Sequence, residues 1–346
     1  MKKIAILGAG SWGTALALLL SRSRQPHRLS LWVRDRELAE VLQRERESRI
    51  YLPGMKLPAE VQVTNDMAEA LAGAQIVVGA IPAAHARKIY SQAKPFWDSE
   101  MFVVSATKGL EPGTRARMSE LISDVLGEAA ATRLAVLSGP SFAPDAARGE
   151  PTAVVVAGRP LLELTRVAGR HYADPAAEVQ AEFAGPTFRL YTNNDVLGVE
   201  LAGAMKNVIA IAAGVCSGLG LGSNSLAALM TRGLAEMTRL AARLGAKPET
   251  MSGLAGLGDL VLTCTGALSR NRSVGIELAK GRRLPDILAE MKMVAEGVGT
   301  AAALLDLATE VHIELPIAEQ VNAILNEGKS PSDAIRDVME RPSRRE

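Results

Sequence analysis

Three groups of residues have types and spacings suited to chemistry. The first is Gly8-Ala9-Gly10-Ser11-Trp12-Gly13, which follows the apolar run Ile4–Leu7 and opens the apolar segment Thr14–Leu20. Between a strand and a helix, the first glycine of such a motif permits a tight turn. The second lets backbone approach a pyrophosphate, and the third lets the helix pack closely on the strand, with helix N-terminal amides facing the anion. A flexible glycine turn is the plainer reading, but the strand–motif–helix context favours dinucleotide binding. Near the end of the next apolar run, Leu31-Trp32-Val33, stand Arg34 and Asp35. A guanidinium there suits a 2′-phosphate and favours NADP, whereas Asp35 swinging in would suit the ribose hydroxyls of NAD; a solvated strand end is the third reading.

The second group is Asp195-Val-Leu-Gly-Val-Glu200-Leu-Ala-Gly203-Ala-Met-Lys206-Asn207-Val-Ile-Ala210, with positions 200, 203, 207, 210 and 214 at helical spacing. Gly203, Ala210 and Gly214 form a stripe narrow enough for close approach of another element. A lysine among so many apolar and small residues is costly to bury unless paired or functional, and desolvation suits a proton-transfer role. A structural lysine paired with Glu200, or snorkelling to water, is weighed equally.

The third group is Gly253-Leu-Ala-Gly256-Leu-Gly258-Asp259-Leu-Val-Leu-Thr263-Cys264-Thr265, followed by Ser269-Arg270-Asn271-Arg272-Ser273 ahead of a helix at Val274–Ala279. Polar and cationic groups at a helix start suit a small phosphate. Cys264 reads as a buried, inert thiol. Two strand ends add candidates: Phe102–Ser105 leads to Thr107-Lys108-Gly109, and Leu134–Leu137 to Ser138-Gly139-Pro140-Ser141-Phe142-Ala143. Parallel sheets put such carboxyl-end loops at the ligand crevice, so Lys108 reads as a phosphate holder or a snorkelling cation, and the second loop as a ligand contact or a plain turn.

Elements must position these groups. Short β-branched runs at Ile4–Leu7, Leu29–Val33, Ile76–Ile81, Phe102–Ser105, Leu134–Leu137, Ala153–Val156 and Phe188–Tyr191 predict strands. Helices are predicted over Gly13–Arg22, Arg36–Arg46, Ala83–Phe96, Arg115–Gly127 and Leu161–Arg170. The alternation implies a mostly parallel sheet covered on both faces. From Asp195, a plausible helix N-cap, Ala/Leu/Gly-rich segments take over. The fold class is therefore an α/β Rossmann-type N-terminal domain, residues 1–190, plus an all-α C-terminal domain, residues 191–346. Pro342–Glu346 reads as a disordered tail.

Composition removes several function classes. The chain has 346 residues, 39 Lys+Arg against 38 Asp+Glu, and only 5 Phe, 3 Trp and 4 Tyr. A net charge of +1 gives no global attraction for nucleic acid or anionic membrane, and the scarce aromatics argue against base stacking. Cys216 and Cys264 cannot build a disulfide framework or a multi-Cys zinc site, and the four histidines lack metal-binding spacing, so no metal is expected and a cytoplasmic setting fits. Met1-Lys2-Lys3 followed by apolar residues resembles a signal peptide, but the glycines within it punctuate strand, turn and helix. No later stretch has the ~20 uninterrupted apolar residues of a spanning helix.

In their order, Gly-Ala-Gly-Ser-Trp-Gly-Thr-Ala from Gly8, Ala-Thr-Lys-Gly-Leu from Ala106, Leu-Ser-Gly-Pro-Ser from Leu137, Glu-Leu-x-Gly-Ala-Met-Lys-Asn from Glu200, Gly-Leu-Ala-Gly-Leu-Gly-Asp-Leu-x-x-Thr-Cys from Gly253 and Ser-Arg-Asn from Ser269 resemble bacterial NAD(P)-dependent glycerol-3-phosphate dehydrogenase. The similarity runs from Lys3 to about Glu327. Single motifs are shared with other hydroxyacid dehydrogenases; the ordered set is specific. The resemblance implies interconversion of dihydroxyacetone phosphate and sn-glycerol 3-phosphate for phospholipid synthesis. It implies cofactor contacts from Ser11, Trp12, Arg34, Ala143, Val294 and Glu296 beside the fingerprint glycines Gly8, Gly10 and Gly13. Lys206 would be the proton acceptor in the oxidative direction and a substrate contact. Lys108, Gly139, Ser141, Asp259, Ser269, Arg270 and Asn271 would hold substrate, with Lys108 and Arg270 also near the cofactor. A homodimer through the Gly/Ala-rich helices is expected, although such helices also serve internal packing. Two rivals stand beside this reading: a related β-hydroxyacid dehydrogenase, and a dinucleotide-sensing protein without catalysis.

Overall fold

The computed structural model describes residues 1–159 and 174–342. The helix expected at Leu161–Arg170 and the last four residues of the expected tail lie outside the described residues. The chain divides into two compact units, Met1–Glu111 with Ala116–Glu200, and Pro112–Arg115 with Leu201–Glu346.

In the first unit, β1 (Lys2–Leu7), β2 (His27–Trp32), β3 (Gln62–Thr64), β4 (Ile76–Gly79), β5 (Phe102–Ser105), β6 (Leu134–Ser138), β7 (Thr152–Gly158) and β8 (Phe188–Asn193) form one sheet ordered β3-β2-β1-β4-β5-β6-β7-β8. Neighbours run parallel except β6 and β7. Ile4, Ala5, Ile6 and Leu7 are all fully buried, so both faces of β1 are covered, as a parallel sheet requires. Growth of the sheet reverses between β1 and β4, and ligand crevices of doubly wound sheets open at that switch point. The boundary expected near residue 190 falls inside β8, whose six residues pair with β7; the chain passes into the second unit only after Glu200.

Helices α1 (Ser11–Ser21), α2 (Arg36–Glu45), α3 (Met67–Leu71), α4 (Ala83–Ala93), α5 (Met118–Leu126), α6 (Glu128–Thr132), α7 (Ala143–Arg148) and α8 (Pro175–Phe183) accompany the sheet. Two expected helices are shorter than their sequence pattern. Pro95 cannot continue α4, so Lys94–Phe96 tightens into a 3-10 turn. Arg115 sits in left-handed backbone at φ 62°, and Leu110 bridges Arg117, so α5 starts at Met118, with the Arg117 N–H donating to Glu120 Oε2 at 2.9 Å. The N-terminal apolar stretch is β1, the glycine turn and the buried α1. The core is aliphatic; Tyr90, Phe183 and Phe188 are the aromatic rings among its largest fully buried side chains.

The second unit is helical among the described residues: α9 (Val196–Gly218), which enters from the first unit, then α10 (Ser223–Arg243), α11 (Pro248–Ser252), α12 (Asp259–Thr265), α13 (Arg270–Ala279), α14 (Leu284–Glu290), α15 (Glu296–Glu310), α16 (Pro316–Asn326) and α17 (Pro331–Met339). Asp195 caps α9, its Oδ1 accepting from Gly198 N at 2.8 Å. Composition and length alone would let α9 cross a membrane, but 83% of its apolar window is buried within the protein. At Gly214 the stripe packs backbone to backbone: a Cβ there would lie 2.0 Å from Arg272 O, and one on Gly275 would lie 2.0 Å from Ile211 O. That contact sets α13, and the Ser269–Asn271 segment at its start, tightly beside α9.

Candidate active site

The first unit carries a nucleotide cradle. Gly8, at φ 112°, donates its N–H to Trp32 O at 3.1 Å, and a Cβ there would meet Ala80 O at 2.6 Å. A Cβ on Gly13 would lie 1.8 Å from Gly8 O, so the third glycine admits the helix to the turn. Gly10 differs, for nothing stands within 4 Å of its notional Cβ, and no side chain caps α1. Open space at Gly10 and helix amides without a side-chain cap fit a pyrophosphate. Trp12 packs half-buried against the core, and the Ser11 hydroxyl donates to Tyr51 O at 2.6 Å.

Arg34 is exposed two residues beyond β2. Asp35 is engaged elsewhere: its Oδ1 caps α2, accepting from Leu38 N at 2.7 Å. Using it on a ribose would uncap that helix, at a cost of about 1 kcal/mol. Asp35, unlike the exposed Arg34, is thereby committed to a helix cap.

At the ends of β5 and β6, Lys108, Gly139 and Ser141 come together. Lys108 Nζ and Ser141 Oγ both donate to Gly139 O, at 2.9 and 3.0 Å. Gly139 holds φ 133°, which a side chain rarely tolerates, and its Cα hydrogen faces Val154 closely. Ala143 begins α7 and is half-buried on the core.

The second unit carries the ionisable centre. Lys206 Nζ donates to Asp259 Oδ1 and to Thr263 Oγ1, each at 2.8 Å, with Lys206 5% and Asp259 1% exposed. Thr263 Oγ1 donates in turn to Asp259 O at 2.6 Å. Asp259 and Thr263 share one face of α12, four residues apart, so a single helix presents both partners to the lysine. The alternative pairing of Lys206 with Glu200 is overturned. Glu200 instead accepts from Ser119 N at 2.7 Å, Ser119 Oγ at 2.6 Å and Arg117 Nη1 at 2.9 Å, and burial pushes its carboxyl up.

Beside the lysine, three elements are knitted by amides. Asn271 Nδ2 donates to Asn207 Oδ1 at 2.9 Å, and Asn271 Oδ1 accepts from Gly297 N at 2.9 Å. A Cβ on Gly297 would meet Asn207 O at 2.6 Å, so this glycine lets α15 abut α9. Ser269 is buried as the cap of α13, accepting from Arg272 N at 3.2 Å. Arg270 opens α13 with its side chain solvent-accessible yet crowded by protein; that desolvation lowers its pKa, opposed by the Glu296 carboxylate at the start of α15. Val294 lies 46% exposed in the preceding loop. Thr263 and Asn207 join the site beyond the residues assigned to it from sequence; the i,i+4 step from Asp259 and the adjacency to Lys206 are their signals. Cys264 is fully buried and its thiol is pushed up to about 12 by desolvation, against the pull of Lys206 and Arg272, so the thiolate is scarce.

Both stretches of the chain match known protein families. The N-terminal domain model of NAD-dependent glycerol-3-phosphate dehydrogenase matches residues 3–161, and the C-terminal model matches residues 195–336. The chain belongs to the NAD-dependent glycerol-3-phosphate dehydrogenase family. It is 52% identical over 344 residues to glycerol-3-phosphate dehydrogenase [NAD(P)+] of Koribacter versatilis, covering 99% of this chain and 98% of that one. Identity to the Acidobacterium capsulatum enzyme of the same name is 50% over 351 residues, covering all of both chains. Among solved structures, glycerol-3-phosphate dehydrogenase from Coxiella burnetii superposes with a TM-score of 0.88 at 37% identity, covering 98% of this chain and 99% of that one. Membership accounts for the Rossmann-type first unit and the helical second unit alike.

Proposed function

We propose that this chain interconverts sn-glycerol 3-phosphate and dihydroxyacetone phosphate with NAD(P), supplying glycerol phosphate to glycerophospholipid synthesis. The observation that carries the reading is the buried Lys206–Asp259–Thr263 cluster in a chain whose other unit holds a complete dinucleotide fingerprint. A bound nicotinamide supplies or accepts the hydride. The protein's part is the proton and the phosphate. In reduction, negative charge grows on the carbonyl oxygen, which the Lys206 ammonium stabilises and then protonates. In oxidation, neutral Lys206 takes the hydroxyl proton. Asp259 and Thr263 fix the direction of Nζ and hold the ammonium form in a desolvated place. Arg270, Asn271 and the capped start of α13 receive the substrate phosphate, with Ser269, Lys108, Gly139 and Ser141 completing the substrate contacts.

The cofactor is held by Gly8, Gly10, Ser11, Trp12 and Gly13, with Arg34 at the ribose, Lys108 and Ala143 at the sheet's carboxyl end, and Arg270, Val294 and Glu296 from the second unit. Asp35 being committed to α2 supports NADP over NAD. In this reading the sheet unit binds dinucleotide and the helical unit binds substrate and carries catalysis, and the chain works in the cytoplasm as a homodimer through its helical unit.

The deciding experiment follows absorbance with NADH and NADPH in parallel, offering dihydroxyacetone phosphate against 3-hydroxyacids and their keto forms. Turnover of dihydroxyacetone phosphate, with Lys206→Ala losing about 10²–10⁴-fold in kcat while retaining cofactor binding, supports the reading. Preference for hydroxyacids points to a related β-hydroxyacid dehydrogenase, and full activity in Lys206→Ala sinks the mechanism.

A further inference from the structure

The fingerprint serine is held by a loop between α2 and β3 that lies outside the glycine motif. Arg46 ends α2 in left-handed backbone, φ 59°, a conformation disfavoured for a non-glycine residue. From there its guanidinium gathers three carbonyls: Nε donates to Leu57 O, and Nη2 to Pro58 O and, at 2.7 Å, to Val61 O. Its own carbonyl accepts from Leu57 N at 2.6 Å. Across the loop Glu47 bridges Lys56, and Gly54 N donates to Glu47 Oε1 at 2.8 Å. Inside, the fully buried Ser48 accepts from Tyr51 N at its Oγ (3.2 Å) and from Leu52 N at its carbonyl (2.9 Å), and Leu52 is fully buried. The loop is thus cross-braced, and the carbonyl it presents outward, that of Tyr51, accepts a hydrogen bond from the Ser11 hydroxyl at 2.6 Å.

A serine hydroxyl has one proton, and phosphate oxygens at neutral pH are acceptors. While the proton is given to Tyr51 O, the Ser11 hydroxyl has no donor for a pyrophosphate; the α1 backbone N–H groups do. We propose that residues 47–58 form a positioning loop for the cofactor, fixed by Arg46, which holds Ser11 by its hydroxyl so that the fingerprint meets the dinucleotide through backbone N–H groups. This rests on the dinucleotide reading above. Arg46 and Ser48 are positioning residues, acting through Tyr51 and Ser11, and Ser11 side-chain and loop effects belong to one chain of contacts.

Calorimetric titration of the full-length protein with NADPH tests this by a double-mutant cycle. Arg46→Gly suits the left-handed backbone and removes the guanidinium; Ser11→Ala removes the latch from the other end. Each variant is expected to weaken NADPH binding about tenfold, and the double variant also about tenfold, since either change alone releases the loop. Arg46→Gly is expected to keep its kcat at saturating cofactor, and hydrogen exchange at Tyr51 and Leu52 is expected to quicken in both single variants. Should Arg46→Gly fold poorly, Ser48→Ala, which cuts the Tyr51 N–H bond within the brace, enters the same cycle. Losses that multiply to about a hundredfold overturn the proposal, because Ser11 then touches the cofactor independently of the loop. So does wild-type affinity in Arg46→Gly or Ser48→Ala. A wild-type protein that binds neither NADPH nor NADH overturns the dinucleotide reading itself, an outcome distinct from these.

Discussion

Replacing Asp259 by asparagine keeps the shape of the side chain and leaves an oxygen to accept from Lys206, while removing one negative charge 2.8 Å from the ammonium. Both groups are almost fully buried, so solvent screens the pair weakly. With an effective dielectric constant of ~20 and charge centres ~4 Å apart, the lost attraction is about 4 kcal/mol, equivalent to about three pH units in the proton equilibrium of the lysine. The direction is fixed: a carboxylate favours the ammonium form, so its loss lets Lys206 give up its proton at lower pH. Under the proposed role, glycerol 3-phosphate oxidation requires neutral Lys206 and gains its alkaline limb at lower pH in Asp259→Asn. Dihydroxyacetone phosphate reduction, which needs the ammonium, fails at correspondingly lower pH. The assay is kcat against pH in both directions at saturating substrate and cofactor. Stability gives a second readout with its own sign: an uncompensated buried ammonium costs about 3–5 kcal/mol, so the variant's loss in Tm is largest at low pH and shrinks as the lysine neutralises. Limbs that stay in place, or move to higher pH, refute the assignment of Lys206 as the proton carrier tuned by Asp259.

Three further outcomes follow from other parts of the molecule. Gly13→Ala would push a methyl to 1.8 Å from Gly8 O, so calorimetry should show cofactor binding lost and scanning should show a lower Tm. Arg34→Ala is expected to raise the KM for NADPH about tenfold or more while sparing NADH, the charge-assisted pair to a 2′-phosphate being worth about 1.5–3 kcal/mol; equal effects on both cofactors would remove Arg34 from the 2′-phosphate. Glu236, 3% exposed on α10, accepts from Ile317 N at 2.8 Å and Ala318 N at 3.4 Å at the start of α16, and burial raises its carboxyl to about 7. A carboxyl raised above its unfolded value contributes stability that is full below the unfolded value near 4.5 and lost as pH rises through about 7. Urea unfolding of wild type should therefore lose up to about 3 kcal/mol across that window, and Glu236→Gln should flatten the dependence.

The glycine fingerprint was legible because its meaning is local: each glycine answers a backbone demand within a strand–turn–helix unit. Seven of the eight strands were legible as β-branched runs, while the three-residue edge strand β3 carries too short a pattern to register. Arg115 shows the opposite failure. Its neighbours read as helix, but the bridge between Leu110 and Arg117 turns the backbone first. Lys206 was recognisable as an unusual lysine, yet spacing offered Glu200 as its partner. The choice fell to Asp259 and Thr263, more than fifty residues away along the chain. Glu200 was claimed by Ser119 and Arg117 instead, contacts of the sheet unit that no helical period encodes.

By itself, the sequence determined the order of strands and helices, the glycines that open the cradle and the family to which the ordered motifs belong, because these depend on short-range periodicity and residue type. Tertiary structure decided which charges meet. It committed Asp35 to capping α2, directed the Ser11 hydroxyl to the Tyr51 carbonyl, and joined Lys206 to Asp259. The physical reason is that a buried polar group must find a partner, and the partner it finds is set by which elements the apolar core has brought alongside.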